Sequence, residues 1–421
     1  MKTLNLVHLV QRLRHARLQT APVLLAAAIV TAPASVVAQE TFPPATPESQ
    51  NVEAPMLDSI GAMIRSLVDT GEIVGAELLV IRNRKTVFHE GFGWRHREEQ
   101  VPMVPGTIFN IRSMTKPIVG SIAQRQVNEK LLDLDTPAGQ YLSSFAGGTS
   151  ADILVRQLLT HTSGLPDGNP AGSRSDYPTL RSVADFWGKH GPTEFAPGQG
   201  FQYSDPGTDV LGAIVEEIAG QTLRELADSE VFEPLGMTDS YAWVDQESSL
   251  DPRFASDYRY SSEQGGWVRY WKPGDGSPLP FAKGSGTTWY ATAQDYARLL
   301  AAWMDAEVTA SGTGAGAARA TVTRAGAPAW LSSSAAERAL TPVSSFDYPS
   351  RLPGLQPRYG QMWIVYVDAA GERVAFGHSG SDGTYAYGWP EDDLIVLYMT
   401  QSRGNRTRLL LEPLFAELVH D

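Results

Sequence analysis

The chain has 421 residues, 42% of them hydrophobic and 19% charged, with a formal net charge of −13 and no cysteine. That length and composition allow an ample hydrophobic core and exclude wholesale disorder. The acidity argues against nucleic acid and anionic lipid as partners, and the missing cysteine excludes disulfides, a thiol nucleophile and a lipidated N-terminal cysteine.

Lys2, Arg12, Arg14 and Arg17 precede an apolar run from Ala21 to Val37, and Val36-Val37-Ala38 offers small residues at a cleavage position. This is the layout of a secretory signal peptide over 1–38. An uncleaved anchor is the competing reading, which Pro22, Pro33 and the alanine-rich tail disfavour. Cleavage near Ala38 would place the mature chain in the periplasm or outside the cell, at a net charge of about −17 once those four cations are lost. No later stretch is long and apolar enough to span a membrane, so no membrane partner is expected after signal removal. Residues 39–52, rich in proline and polar groups, read as a short linker.

Met56, Ile60, Met63, Ile64 and Leu67 then recur at helical spacing, with Gly71 as a stop. GAELLVIRNRKTVFHEGFGWRH (75–96) reads as two strands around a turn at Asn83-Arg84-Lys85. From about 121 to 284 the pattern is mostly helical, with helices expected near 117–131, 152–160, 181–189, 207–219 and 221–231. Thr292-Ala-Gln-Asp295 reads as a capping box opening one more helix. A Gly/Ala/Ser/Thr tract over 308–327 contains GTGAGA at 312–317, a loose match to a dinucleotide fingerprint with no strand before it, and no cofactor is expected there. Strand-like segments near 359–368, 373–379, 384–389 and 394–401 lead to a last helix around 406–418.

Strands at both ends of the chain predict an α/β (α+β) fold. One antiparallel sheet, built from about 53–120 and 285–421 and flanked by N- and C-terminal helices, would stand beside a mostly helical half within a single domain over 53–421.

Three stretches carry chemistry. In FNIRSMTKPIVG (109–120), Ser113 and Lys116 stand three apart at a helix start, neighbours on one helical face, where free backbone N–H groups and the positive dipole end suit a nucleophile. Taken alone, this pair is better explained as a plain helix start. FQYSDPGTDVLG (201–212) puts Tyr203 in a loop before an amphipathic helix, and AFGHSGSDGTYAY (375–387) puts His378-Ser379-Gly380 at a strand end. No Gly-x-Ser-x-Gly elbow and no phosphate loop exist, and His161, His190 and His378 lack metal-ligand spacing, so no metal site is expected.

With these motifs in this order, the chain resembles the serine hydrolases related to penicillin-binding proteins and class C β-lactamases, which include family VIII carboxylesterases and D-aminopeptidases. That family carries Ser-x-x-Lys, Tyr-x-Asn and Lys/His-x-Gly, here Ser113-Met-Thr-Lys116, Tyr203-Ser-Asp205 and His378-Ser379-Gly380. LLTHTSGLP (158–166), GSGTTWYATAQDYARLL (284–300) and YMTQSRGN (398–405) resemble it too, so the likeness spans almost all of the mature chain.

The resemblance implies a β-lactamase/transpeptidase-like fold and a Ser113 acyl-enzyme, without metal or organic cofactor. Lys116 and Tyr203 would share removal of the serine proton. The N–H groups of Ser113 and Ser381 would form the oxyanion hole. Asp205, His378, Ser379 and Gly380 would line the substrate site.

Asp205 departs from the family's Asn. It either caps the following helix or pairs with Lys116, in which case it favours the ammonium and Tyr203, its pKa lowered by that cation, becomes the better acceptor. A neutral His378 attracts an anion less than the family's Lys and leans the reading toward neutral esters. Trp289, Tyr290, Tyr385 and Trp389 fit either an apolar acyl pocket or core packing.

The expected partner is thus a small ester or amide. A carboxylesterase is the first reading. A D-Ala-D-Ala carboxypeptidase, D-aminopeptidase or weak β-lactamase is the second, and a non-catalytic protein binding cell-wall peptide is a third from another class.

Overall fold

The computed structural model describes residues 41–171, 174–311 and 329–419. The signal-peptide reading of 1–38 and the GTGAGA tract lie outside the described residues. The strands are β1 Gly75–Arg82, β2 Lys85–His96, β3 Val101–Pro102, β4 Phe109–Asn110, β5 Asp257–Ser261, β6 Gly266–Trp271 and β7 Tyr290–Ala291. After them come β8 Ser344–Ser345, β9 Gln356–Tyr359, β10 Ile364–Val367, β11 Arg373–Ser379, β12 Tyr385–Trp389, β13 Leu394–Thr400 and β14 Ser402–Arg403. The helices are α1 Ala54–Asp69, α2 Thr115–Asn128, α3 Val155–Leu159, α4 Leu180–His190 and α5 Asp205–Ala219, then α6 Leu223–Ala227, α7 Glu233–Leu235, α8 Ala293–Ser311, α9 Ser333–Leu340 and α10 Arg408–Ala416.

Nine strands form one sheet in the order β3-β2-β1-β13-β12-β11-β10-β9-β8. The first long strands of the chain therefore pair with the last, antiparallel, with Ala76 opposite Thr400 and Arg82 opposite Leu394. Alternation assigns the two faces, because successive side chains of a strand point to opposite sides. Leu78 and Val80 of β1 join Leu57, Ile60 and Ile64 of α1 and Leu411 and Phe415 of α10. Leu79 and Ile81 join Ile118 and Ile122 of α2 and Leu300 and Trp303 of α8. With both faces covered, β1 and β13 are buried along their whole length, which is why GAELLVIR and LIVLYMT read as nearly unbroken apolar runs. The β1–β2 turn needs two residues at positive φ, and Asn83 (50°) and Arg84 (59°) supply them. Arg84 is held there by Asp305 at 2.7 Å and Asp393 at 2.8 Å.

The structure departs from the sequence expectations at four places. Residues 41–52 do not hang as a linker: Phe42 and Val52 are buried, and Ala45 N–H donates to Thr86 O at 2.9 Å along the edge of the sheet. The segment near 359–368 is two strands, β9 and β10, split by a turn in which Met362 has φ 64°. The part expected to be mostly helical also holds the β5–β6 hairpin, whose strand β5 pairs in parallel with β14. Its half-exposed strands show no clean alternation to read. The short helix α9 was also missed, since Ser332-Ser333-Ser334 carries no apolar period of its own.

Where β11 meets β12, Gly377 is packed so that a Cβ would collide with the Ala386 carbonyl and the Tyr387 ring. Gly377→Ala is expected to lower stability by about 1–3 kcal/mol, read from urea denaturation, and an unchanged midpoint would show that this packing is not tight.

Candidate active site

Ser113 lies between β4 and α2, in a 3-10 turn over Arg112–Met114. Strand β4 pairs with β7, and Ile111 N–H donates to Trp289 O at 3.0 Å, fixing the approach to the turn. Arg112 takes φ 49°, a left-handed conformation that costs a non-glycine residue on the order of 1 kcal/mol or more. Its buried guanidinium offsets this by donating to Asp382 at 2.6 Å and to Asp257 at 2.7 Å, with a further bond to the Tyr270 hydroxyl. Burial works against that guanidinium, but the two carboxylates prevail and hold it above its ordinary value. Burial in turn lifts Asp257 to about 7.

Lys116 falls in the first turn of α2 with no exposed surface. Its Nζ stands 3.5 Å from Ser113 Oγ, 2.6 Å from Asp205 Oδ1 and 3.4 Å from the Ser285 carbonyl. The question of what Asp205 does is answered by its neighbour. Ser204 is the N-cap of α5, accepting from Gly207 N–H at 3.0 Å, which frees the Asp205 carboxylate to meet Lys116. Burial works to raise Asp205, yet the Lys116 and Lys283 ammoniums outweigh it and hold the carboxyl below its ordinary value. One turn on, Asp209 accepts from Ser285 N–H at 2.8 Å and lies 3.6 Å from Lys283 Nζ, so it steadies the segment whose carbonyl Lys116 touches.

Tyr203 lies with its ring under the ammonium, Lys116 Nζ standing 4.6 Å from the ring centre. The expectation of a lowered phenol is corrected: burial and the Asp205 carboxylate push Tyr203 well above its ordinary value, and a hydrogen bond with Ser113 opposes them only in part. Tyr203 therefore stands as a neutral phenol beside Ser113. His161 (4.6 Å), Phe346 (5.9 Å), Tyr359 (6.1 Å) and His378 (6.3 Å), measured between ring centres, enclose it.

His378 does not line the cleft as expected; it is 1% exposed, and both ring nitrogens are engaged. Its Nδ1 meets Ser379 O at 2.8 Å and can only donate there, so Nε2 must accept from Tyr359 OH at 3.4 Å. Tyr359 OH in turn accepts from His161 Nε2 at 3.0 Å, because His161 Nδ1 is itself an acceptor for Ser204 N–H at 3.3 Å. One backbone donor and one backbone acceptor thus set every proton along Ser204–His161–Tyr359–His378–Ser379 and keep both imidazoles neutral. Burial and Lys116 push His378 down to about 3, and burial and Lys116 hold His161 well below its ordinary value.

Ser379 is half-buried with its hydroxyl on Tyr348, and a Cβ at Gly380 would strike Thr384 and the Ile111 carbonyl, so the strand end lies directly against the serine turn. Ser381 is exposed, and its N–H has no partner among the described residues. Trp289, Tyr385 and Trp389 are core residues, and of the four aromatics considered Tyr290 alone lines the cleft, a cavity of about 670 Å³ bordered by Asp205, Lys283 and Arg112. Among the described residues no group of three or more His, Cys, Asp or Glu is placed to hold a metal.

The structure therefore brings Ser113, Lys116, Tyr203 and Asp205 together and sets Gly380 beside them. Sequence reasoning missed Arg112, Tyr359, Asp209 and the role of His161. The LLTHTSGLP stretch pointed toward His161, whereas no local pattern marks the other three.

A family model described as Beta-lactamase matches residues 60–419. Esterase EstB of Burkholderia gladioli is 35% identical over 230 residues, 51% of this chain and 56% of that protein, so the chain aligns with little more than half of the esterase. Among solved structures, EstCE1, described as a hydrolase with promiscuous acyltransferase activity, superposes with a TM-score of 0.68 at 20% identity over 86% of this chain and 98% of its own. A D-amino acid amidase from Ochrobactrum anthropi gives 0.65 at 21%, over 86% and 98%. At those identities the two structures establish a shared fold.

Two outcomes follow from the charges. Asp205→Ala strands the buried Lys116 ammonium and is expected to cost about 3 kcal/mol, with Asp205→Asn less costly because it can still accept a hydrogen bond; equal urea midpoints for all three proteins would refute the pairing. A histidine held low when folded binds its proton in the unfolded chain first. Stability should therefore be unaffected by His378 above pH 6.5 and fall as pH drops toward 3. His378→Gln is expected to flatten that decline in denaturation series at stepped pH, and an unaltered slope would contradict a neutral buried imidazole.

Proposed function

Because the chain belongs to the beta-lactamase family, it is a serine hydrolase, and we propose that it cleaves carboxylic esters through an acyl-enzyme on Ser113. The observation that carries this reading is the half-buried Ser113 hydroxyl facing a buried, Asp205-paired Lys116 and a neutral Tyr203.

Since Asp205 favours the ammonium and Tyr203 stands as a phenol, the serine proton leaves during attack and not before it. Ser113 Oγ bonds to the ester carbonyl carbon while its proton passes to Tyr203, and Tyr203 hands its own proton to the departing alkoxide oxygen. The phenol is regenerated as the C–O bond breaks. Lys116 stabilises the negative charge that develops on Oγ and on the phenol oxygen. The N–H groups of Ser113 and Ser381 receive the carbonyl oxygen, and the latter has no other acceptor among the described residues. Water then repeats the sequence with its proton travelling through Tyr203 back to Ser113, releasing the acid.

Esters are favoured by the likeness to EstB and by the absence of an exposed cation at the His378 position, which leaves that strand end neutral. We also propose that the mature protein is exported after cleavage near Ala38, on the strength of the basic lead and apolar run alone. No helix among the described residues is long and apolar enough to cross a membrane.

Hydrolysis of p-nitrophenyl butyrate by the protein lacking residues 1–38 tests the main reading, with Ser113→Ala expected to lose at least about 10³-fold in kcat/KM. Full activity in the variant would refute the nucleophile. Turnover of D-Ala-D-Ala peptides or D-amino acid amides in place of esters would move the substrate class to the amide-directed reading.

A further inference from the structure

The cleft is lined by Arg112, the residue before Ser113, and by Asp205, the partner of Lys116, and it carries cations beyond those the proposed acyl transfer uses. Arg112 is neutralised by Asp257 and Asp382, Lys116 by Asp205, and Lys283 lies by Asp209. Two further arginines, Arg259 on β5 and Arg403 on β14, also line this cleft, and both are exposed. They sit opposite one another in register on paired parallel strands. Like charges directly opposite in a sheet repel and weaken the pairing. Among the described residues the one carboxylate within 4.0 Å of the Arg403 guanidinium is Asp382 at 3.7 Å, already bonded to Arg112. Arg259 rests over the Tyr270 ring at 5.9 Å with no carboxylate within 4.0 Å among the described residues. Arg403 lines a second groove of about 540 Å³ as well, where Arg351 and Arg406 are exposed, their guanidiniums with no carboxylate within 4.0 Å among the described residues, and Glu72 is the one acid in the lining. On a chain of net charge −13, Arg403 thus joins the cleft lined by Arg112 and Arg259 to a second groove lined by Arg351 and Arg406.

We propose that this cleft selects substrates that carry a second, anionic group, a carboxylate or a phosphate, seated on the Arg259–Arg403 pair while the scissile carbonyl sits at Ser113. Guanidinium forks match the planar oxygens of a carboxylate or phosphate, and an anion between them relieves their mutual repulsion. The neutral strand end at His378 is then no sign of indifference to charge: the anion is read on the β5–β14 side of the cleft and not at the β11 position. This inference rests on the ester-hydrolase reading, so its test keeps the two apart.

The anion is placed on either side of the ester bond, using mono-p-nitrophenyl glutarate and 4-acetoxybenzoate, each against its own methyl ester, at low ionic strength. For at least one of the two, the anionic-to-neutral ratio of kcat/KM is expected to fall roughly tenfold in Arg259→Gln/Arg403→Gln, partly in Arg259→Gln alone, and in wild type with added salt. A ratio is used because it cancels any general loss of activity, and Arg259, which has no carboxylate within 4.0 Å among the described residues, gives the variant least prone to misfold. Ratios unmoved by the double substitution for both substrates overturn the proposal. Should no ester be turned over, the ester reading falls by itself. Calorimetric titration of Ser113→Ala with glutarate and with inorganic phosphate then decides: binding lost in the arginine double variant upholds the site and shows which oxyanion it prefers, whereas binding absent or unaffected overturns it.

Discussion

A lysine ammonium with no exposed surface, one helical turn after Ser113, is the constraint around which the site is arranged. A buried charge is tolerated only when it is paired and its donors are satisfied. Asp205 supplies the charge and the Ser285 carbonyl a further acceptor, and each is itself fixed, the first by the Ser204 cap of α5 and the second through Asp209. The start of α5 and the 283–286 segment are therefore located by the needs of one cation. Asp in place of the family's Asn gives that cation a carboxylate partner at 2.6 Å, the pairing from which the proposed proton transfer through Tyr203 is argued.

The other side of the serine is governed by shape. Arg112 holds a left-handed backbone offset by its bonds to Asp257, Asp382 and the Tyr270 hydroxyl, and Gly286, at φ 123°, lets the chain pass against the Arg112 carbonyl where a side chain would not fit. Around Tyr203 the aromatic ring of His161, Phe346, Tyr359 and His378 excludes water from one flank, and the directed hydrogen bonds through both imidazoles prevent either from competing for the serine proton. Histidine here is a neutral structural spacer.

Much of this was legible in the sequence because the signals are local. The apolar period of α1, the paired runs of β1 and β2, and the four C-terminal strand segments each declare themselves within a short window, and the motif Ser113-x-x-Lys116 lies within one helical turn. What escaped is non-local or compensated. Asp257 and Asp382 are far apart in sequence and become partners of Arg112 only in the fold. Tyr359 is a strand-end tyrosine like several others until His161 and His378 arrive on either side. The phenol of Tyr203 was expected to be lowered by its cation; it is raised, because burial and the Asp205 carboxylate that accompanies the cation push it up and the Ser113 hydrogen bond opposes them only in part. The β5–β6 hairpin stayed hidden since its half-exposed strands lack a buried face to give them a period.

The clamp on Arg112 has a consequence for how the protein comes to life. Its three residues belong to the serine turn, to the hairpin at β5, and to the turn after β11, while β1 waits for β13 to complete the sheet. Contacts of such wide sequence separation close late, since the entropy of the intervening loops must be overcome first. A chain with its helices formed and its local hairpins made still has no strained arginine, and so no fixed serine. Chemical competence arrives with the last long-range pairing, and a partly folded molecule is a silent one.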